Sequence, residues 1–234
     1  MADLLEAFRT ALRLILELDA ELVEIVGLSL RVSLSAVFLA TLVGLPLGAV
    51  AGMLRFPGRR VVTVLLNSLL GLPPVVVGLV VYLLLSRSGP LGALGLLFTP
   101  AAMVFAQFLL ITPIVAALSR QVLEELWQEY EDQLRSLGAG VWRAIPTLLF
   151  EGRYLLLTAI LAGFGRAIAE VGAVIIVGGN IAHVTRVMTT AIALETSRGD
   201  LPLALGLGLL LIALSIAVNA AAYLAQAVTR SAHA

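Results

Sequence analysis

The sequence predicts an all-α polytopic membrane protein, with about five transmembrane helices behind an N-terminal helix lying in the interface. Three observations predict it. Of the 234 residues, 60% are hydrophobic and 13% are charged, whereas a soluble domain carries about 25% charged residues. Five stretches, 28–53, 61–86, 97–119, 154–178 and 201–228, reach the roughly 20 mostly apolar residues that a span needs. Within those stretches the only charges are Arg31, Arg166 and Glu170; all others fall between them or at the ends. With no internal repeat and no low-complexity linker, residues 1–234 read as a single transmembrane domain.

The first element, within residues 1–20, has apolar residues at Leu4, Leu5, Phe8, Leu12, Ile15 and Leu16, with Arg9 and Arg13 at helical spacing. Charges in mid-segment make spanning costly, so an amphipathic interfacial helix is expected, and no cleavable signal peptide is apparent. Span one places a small residue at every fourth position, Ala36, Ala40, Gly44, Gly48 and Gly52. Such a stripe lets two backbones approach closely, either across a dimer seam or inside one subunit. Span two is interrupted by Gly71-Leu72-Pro73-Pro74. Proline removes a backbone donor, so this is either a simple kink or a break lining a transport path, where irregular backbone survives at membrane depth.

Between spans three and four hydrophobicity collapses over residues 120–153. A helical stretch to Leu137 is stopped by Gly138, which suits a helix end. A second apolar and basic stretch, Val141 to Phe150, leads into span four. The segment is either a solvated loop or a polar helical hairpin able to dock on a soluble partner. In span four, Arg166 and Glu170 are four residues apart, so they share a helix face. They form either a structural ion pair or an electropositive point on an anion path. Arg31 is expected to snorkel to the outer interface. The loop from Gly178 to Asp200 carries Thr185, Thr189, Thr190, Thr196 and Ser197. Hydroxyls can donate to an oxyanion without trapping it by full charge. Docking of an external protein, or a short interfacial helix without ligand contact, are the other readings, and His183 reads as a surface residue.

Orientation follows arginine bias near the span ends. One side holds eight arginines, Arg55, Arg59, Arg60, Arg120, Arg135, Arg143, Arg153 and Arg230; the other holds five, Arg9, Arg13, Arg87, Arg186 and Arg198. The N-terminus is therefore expected outside and the C-terminus in the cytoplasm of a cell-membrane protein, with the acidic run Glu17, Asp19, Glu21 and Glu24 facing outward.

Composition also excludes functions. There is no cysteine, hence no thiol chemistry. All fifteen basic residues are arginine, so no P-loop lysine exists and any ATPase must be another chain. Net charge is zero, so nucleic acid is not an expected partner. The two histidines, His183 and His233, make no metal cluster. No acid pair, Ser–His pair or ligand cluster lies within the spans, so neither catalytic residues nor a cofactor in this chain are expected.

Asp132-Gln-Leu-Arg-Ser-Leu-Gly138-Ala-Gly140 resembles the coupling motif of ABC importer permeases, in which an acidic residue stands six positions before a glycine. Gln133 and Leu134 replace the usual alanines, and Glu151 stands where a proline often ends the motif. The stretch from Gly71 to Gly92 is similar to permeases of the molybdate and tungstate importers. Ala169–Ile181 followed by Thr185–Thr196 is closer to the tungstate branch. This resemblance implies a type I importer permease acting as a homodimer in the lipid bilayer. Two ATP-binding subunits, carrying ATP and Mg, would sit on the cytoplasmic side, and an extracytoplasmic binding protein would deliver the oxyanion. It assigns ATPase coupling to Asp132, Gln133, Leu134, Leu137, Gly138 and Ala139. Pro73, Pro74, Arg166, Glu170, Thr185, Thr189 and Thr190 are candidates for the substrate path. The alternatives are a permease for molybdate, phosphate or an amino acid, a carrier or channel that needs no cytoplasmic hairpin, and an intramembrane enzyme.

Overall fold

The computed structural model describes residues 20–231; the expected interfacial helix lies outside this range, apart from its final residue. Among the described residues there is no strand, and nine α-helices follow one another: α1 (Ala20–Met53), α2 (Arg59–Leu69), α3 (Pro74–Leu85), α4 (Pro100–Ser136), α5 (Val141–Glu151), α6 (Arg153–Ile168), α7 (Gly172–Gly178), α8 (Met188–Arg198) and α9 (Leu201–Ser231). A short 3-10 turn, Gly92–Leu94, precedes α4. Three helices are each long and apolar enough to cross a membrane: α1, α4 and the 201–221 part of α9. Two bent pairs, α2 with α3 and α5 with α6, raise the number to five if each pair forms one span.

Two expected spans are divided. Span two breaks where its proline pair lies: α2 ends at Leu69 and α3 starts at Pro74, a first-turn position where the missing N–H costs nothing. The continuous span expected over 154–178 is corrected by the structure. Its helix stops at Ile168 and a separate seven-residue helix begins at Gly172. Glu170 therefore lies beyond the end of α6, in the turn between α6 and α7. The sequence alone suggested continuity because Ala169-Glu170-Val171 contains no proline. The break exists because side chains elsewhere in the fold satisfy its freed backbone groups, as detailed below.

The helices group into two compact units. One comprises the described parts of Met1–Ser35, Pro74–Gln107 and Ala167–Ala234. Within it α3 packs on α7 and α8 on α9. The Phe98 N–H donates to Val177 O at 3.0 Å, and the Phe98 ring meets Tyr82 edge-on at 6.2 Å. The Met188 N–H donates to Ser29 Oγ at 2.8 Å, which ties the start of α8 to α1.

The other unit comprises Ala36–Pro73 and Phe108–Arg166. Here the small-residue stripe of α1 is buried against α4 of the same chain. A Cβ on Gly44 would stand 2.9 Å from Val115 Cβ, one on Gly48 2.0 Å from Ser119 Oγ, and one on Gly52 2.7 Å from Arg120 O. Of the two readings of the stripe, packing inside one subunit is therefore the one realised. Next to it, Ala49 and Met53 of α1, Leu123 and Trp127 of α4, Ala144 and Leu148 of α5 and Leu156 of α6 form a buried cluster. This cluster fixes the segment 120–153 as ordered structure and not a loose loop.

Candidate functional site

The segment singled out by spacing folds as a helical elbow. α4 runs without interruption to Ser136, so its 37 residues extend about 55 Å at 1.5 Å per residue, far more than a bilayer core requires. Its end is a complete Schellman cap: the Gly138 N–H donates to Arg135 O at 2.9 Å and the Ala139 N–H to Leu134 O at 2.9 Å. The cap requires a left-handed residue, and Gly138 has φ +77°, open to glycine without the Cβ penalty. α5 then starts at Val141 after the extended residue Gly140.

Burial separates two sets of residues in this elbow. Leu134 packs on the cluster beneath it, with Val141 and Ile145. Asp132, Gln133 and Gly138 are exposed, Ala139 is half-buried, and Leu137 is 82% exposed. Trp142 and Phe150 on α5 are 68% and 65% exposed. Large apolar side chains at a rigid, polar-flanked tip are the kind of feature that marks a protein contact. At the α5–α6 junction, Arg153 lies between the rings of Phe150 and Tyr154, at 4.2 and 4.5 Å from their centroids, within cation–π range.

Charged residues of the same unit brace the base of the elbow. Arg59, the first residue of α2, donates from Nε to Ala51 O at 2.9 Å and from Nη2 to Gly52 O at 2.6 Å and Glu124 Oε1 at 2.8 Å. Glu124 also pairs with the buried Arg120. About two turns nearer the tip, Glu131 pairs with Arg135 at 2.6 Å and Arg55 at 3.6 Å. Spacing alone had placed these arginines only as a charge bias; the carboxylates that meet Arg55 and Arg59 come from a distant part of the chain.

The second candidate region is the α6–α7 break. A side chain there takes up each of three backbone groups. Gln107 Nε2 donates to Ala167 O at 3.0 Å, Thr189 Oγ1 donates to Glu170 O at 2.8 Å, and Glu170 Oε1 accepts the Ala173 N–H at 2.9 Å. Glu170 is 3% exposed. These side chains line a small polar cavity with Ser29, Ser33 and Val187, with room for about one water, and Gln107 Oε1 has no protein partner there. Ser29, Ser33 and Gln107 had not been singled out from the sequence. Their signal was present in the four-residue spacing of the serines and in a lone glutamine within an apolar run.

The remaining path candidates are dispersed. Thr189 joins Glu170 at the cavity. Thr185 is fully buried; its hydroxyl donates to Gly178 O at 2.6 Å and accepts the Ile181 N–H at 3.0 Å. Thr190, equally buried, accepts the Val187 N–H at 3.1 Å. Both thus hold the loop before α8 in shape. Pro73 is exposed in the α2–α3 break, Pro74 opens α3, and Arg166 is half-buried in the last turn of α6. In the loop between α7 and α8, His183 is an exposed residue as expected, bonded through Nδ1 to Glu24 Oε2 at 2.8 Å. Arg186 pairs with Glu21 at 3.1 Å. The hydrogen bond to the Glu24 carboxylate, and then its charge, hold the His183 pKa above its ordinary value.

Residues 44–230 match the family model described as the binding-protein-dependent transport system inner membrane component. The chain belongs to that family. The permease is 43% identical over 226 residues to the tungstate uptake system permease protein of Peptoclostridium acidaminophilum, covering 97% of this chain and 99% of that one. It is 43% identical over 204 residues to a probable anion ABC transporter permease protein of Haloferax volcanii, covering 85% and 88%. It is 36% identical over 214 residues to the tungstate uptake system permease protein of Campylobacter jejuni, covering 92% and 90%. The permease is accordingly a multi-pass membrane component of an ABC importer, a family whose transport subunits work with separate ATPase and binding-protein chains.

Proposed function

We propose that this permease is the membrane subunit of a tungstate importer and that its α4–α5 elbow is the docking point for the ATP-binding subunits. The observation that carries the reading is the elbow itself. A helix longer than the bilayer ends in a rigid glycine cap whose acidic and apolar side chains, Asp132 and Leu137, face outward from the chain's own core. The two relatives named for tungstate uptake support the choice of anion. In this reading two copies of the permease work together with two ATP-binding subunits, on which ATP and Mg are bound. Gln133, Leu134 and Ala139 shape the contact from within the elbow, and the arginine bias puts it in the cytoplasm with the C-terminus. An extracytoplasmic binding protein supplies the oxyanion to the opposite face. The permease itself makes and breaks no covalent bond.

The substrate path is assigned to the two helix breaks, marked by Pro73 and Pro74 in one and by Glu170 and Thr189 in the other, with Arg166 as the cation closest in sequence to the second. Thr185 and Thr190 keep the outer loop in the shape the path requires. Irregular backbone at membrane depth is stable only beside protein or a water-filled cavity, which supports a role for both breaks in alternating access.

Reconstitution in liposomes with the ATPase subunits and the binding protein tests the assignment. Tungstate uptake is expected only when all three components and ATP are present, with excess molybdate competing better than sulfate or phosphate. Uptake by the permease alone, or equal competition by phosphate, would overturn it.

A further inference from the structure

We propose that Arg59 is the positioning residue that passes movement of the elbow to α2, so that its loss uncouples ATP hydrolysis from transport without releasing the ATPase. The inference rests on the docking role assigned to the elbow above. It starts from an anomaly in α2. This helix, Arg59–Leu69, has no buried residue, and its apolar Val61, Val64 and Leu65 are each more than half exposed. Val62, Leu66 and Leu69 form a half-buried apolar face, so packing without a fully buried side chain holds its position only weakly. The five residues between α1 and α2 include Gly58 at φ +88°, with nothing within 4 Å of a Cβ placed there.

What holds the start of α2 is the Arg59 guanidinium. It covers two carbonyls at the C-terminal end of α1, Ala51 O and Gly52 O, where a cation is also favoured by the helix dipole. The same group reaches Glu124 on α4 at 2.8 Å. Glu124 is held in turn by Arg120, which is buried. One planar fork thus joins three helices, a geometry that lysine cannot reproduce. From Glu124 to Ser136, α4 has no interruption, a distance of about 18 Å. Over that distance Trp127 and Leu134 pack on the cluster that includes Ala49 and Met53 of α1. Displacement of the elbow therefore moves α4 and the end of α1 as one block. The polar fork ties the start of α2 to that block, and α2 leads directly into the Pro73-Pro74 break. Uncoupling follows if the fork is cut, because the block still moves while the break does not.

The test uses the complete importer in liposomes, with tungstate as the transported probe, and compares R59Q, R59K, E124Q and G138W. The expected result for R59Q is normal recovery of the ATPase subunits and continued ATP hydrolysis, with tungstate taken up per ATP reduced at least fivefold. R59K is expected to fall between R59Q and the parent. E124Q leaves both Arg59-to-carbonyl bonds available and removes the charge pair, so a smaller loss of about two- to threefold is expected. If R59Q does not assemble, E124Q decides. A purely structural role for Arg59 would lower the yield or the melting temperature but leave uptake per ATP unchanged in whatever complex forms, and that result would overturn the proposal. G138W separates this failure from failure of the docking reading. Loss of the ATPase from G138W combined with parental coupling in R59Q overturns the Arg59 role alone. Parental assembly and uptake in G138W overturns the docking reading and the Arg59 role with it.

Discussion

At Gly138 two properties that usually coincide can be separated. The residue needs a positive φ, yet a Cβ placed on it would meet nothing within 4 Å of this chain. Substitution by alanine should therefore cost about 1 kcal/mol through backbone strain alone, detectable as a small drop in melting temperature with the ATPase still bound. Tryptophan at the same position carries the same strain but adds bulk that only a docked partner would meet, so co-purification of the ATPase should be lost. Equal retention of the ATPase by G138A and G138W would remove the partner from the argument. The second prediction at this scale concerns His183. Its pKa is raised in the folded protein by Glu24, with Glu21 acting in the same direction and Arg186 opposing. A raised folded-state value means that the stabilisation is fully present below the unfolded value of about 6.5 and is lost as pH rises through the folded one. The contact between the α7–α8 loop and the start of α1 should loosen toward alkaline pH. Hydrogen exchange of residues 181–187, corrected for intrinsic rates, should be slower at pH 6 than at pH 8.5, and H183Q should abolish the difference. Equal protection of the parent protein at both pH values would count against the latch.

At the scale of elements, the α1–α4 contact shows how a spacing becomes a packing. The stripe Gly44, Gly48 and Gly52 lets α1 approach α4 so closely that the backbone at Ala116 and Arg120 occupies the space side chains would need. G48A should therefore destabilise by about 1–3 kcal/mol through overpacking. G27A, on the same helix but with nothing within 4 Å of its Cβ, should be neutral or slightly stabilising, because alanine favours a helix interior. Thermal unfolding of the two variants in detergent checks this, and indistinguishable melting temperatures would refute the assigned contact. The two helix breaks differ in kind. The α2–α3 break carries its cause in its own residues, Pro73 and Pro74. The α6–α7 break is maintained by Gln107 and Thr189, which stand far away in sequence and supply the donors that the broken helix lacks.

For the whole molecule, family membership and composition agree on a multi-pass membrane component of a transport system. The chain has no lysine, so it lacks the P-loop lysine; under the proposed docking role, energy enters by contact. The elbow is a suitable entrance because it belongs to the same compact unit as the C-terminal half of α1, all of α2 and most of α4. A push at Gly138 therefore acts on a packed block and not on a flexible tether. The dependence of uptake on both partner chains, tested by the reconstitution described above, is the corresponding expectation at this scale.

The sequence by itself determined that the chain lives in lipid, where its apolar stretches run, and that a glycine ends the long polar-tipped helix. These are consequences of local composition and of φ preferences, which a single stretch of residues carries within itself. The two readings of the small-residue stripe, the partners of Arg59 and His183, and the interruption after Ile168 were decided only by tertiary structure. Each depends on a group 19 to 159 residues away along the chain or more than one turn of helix distant in sequence. A glycine records that something approaches but not what, and an arginine records a charge but not the carboxylate that meets it. A helix without proline breaks in lipid only where the fold brings other donors and acceptors to the exposed backbone.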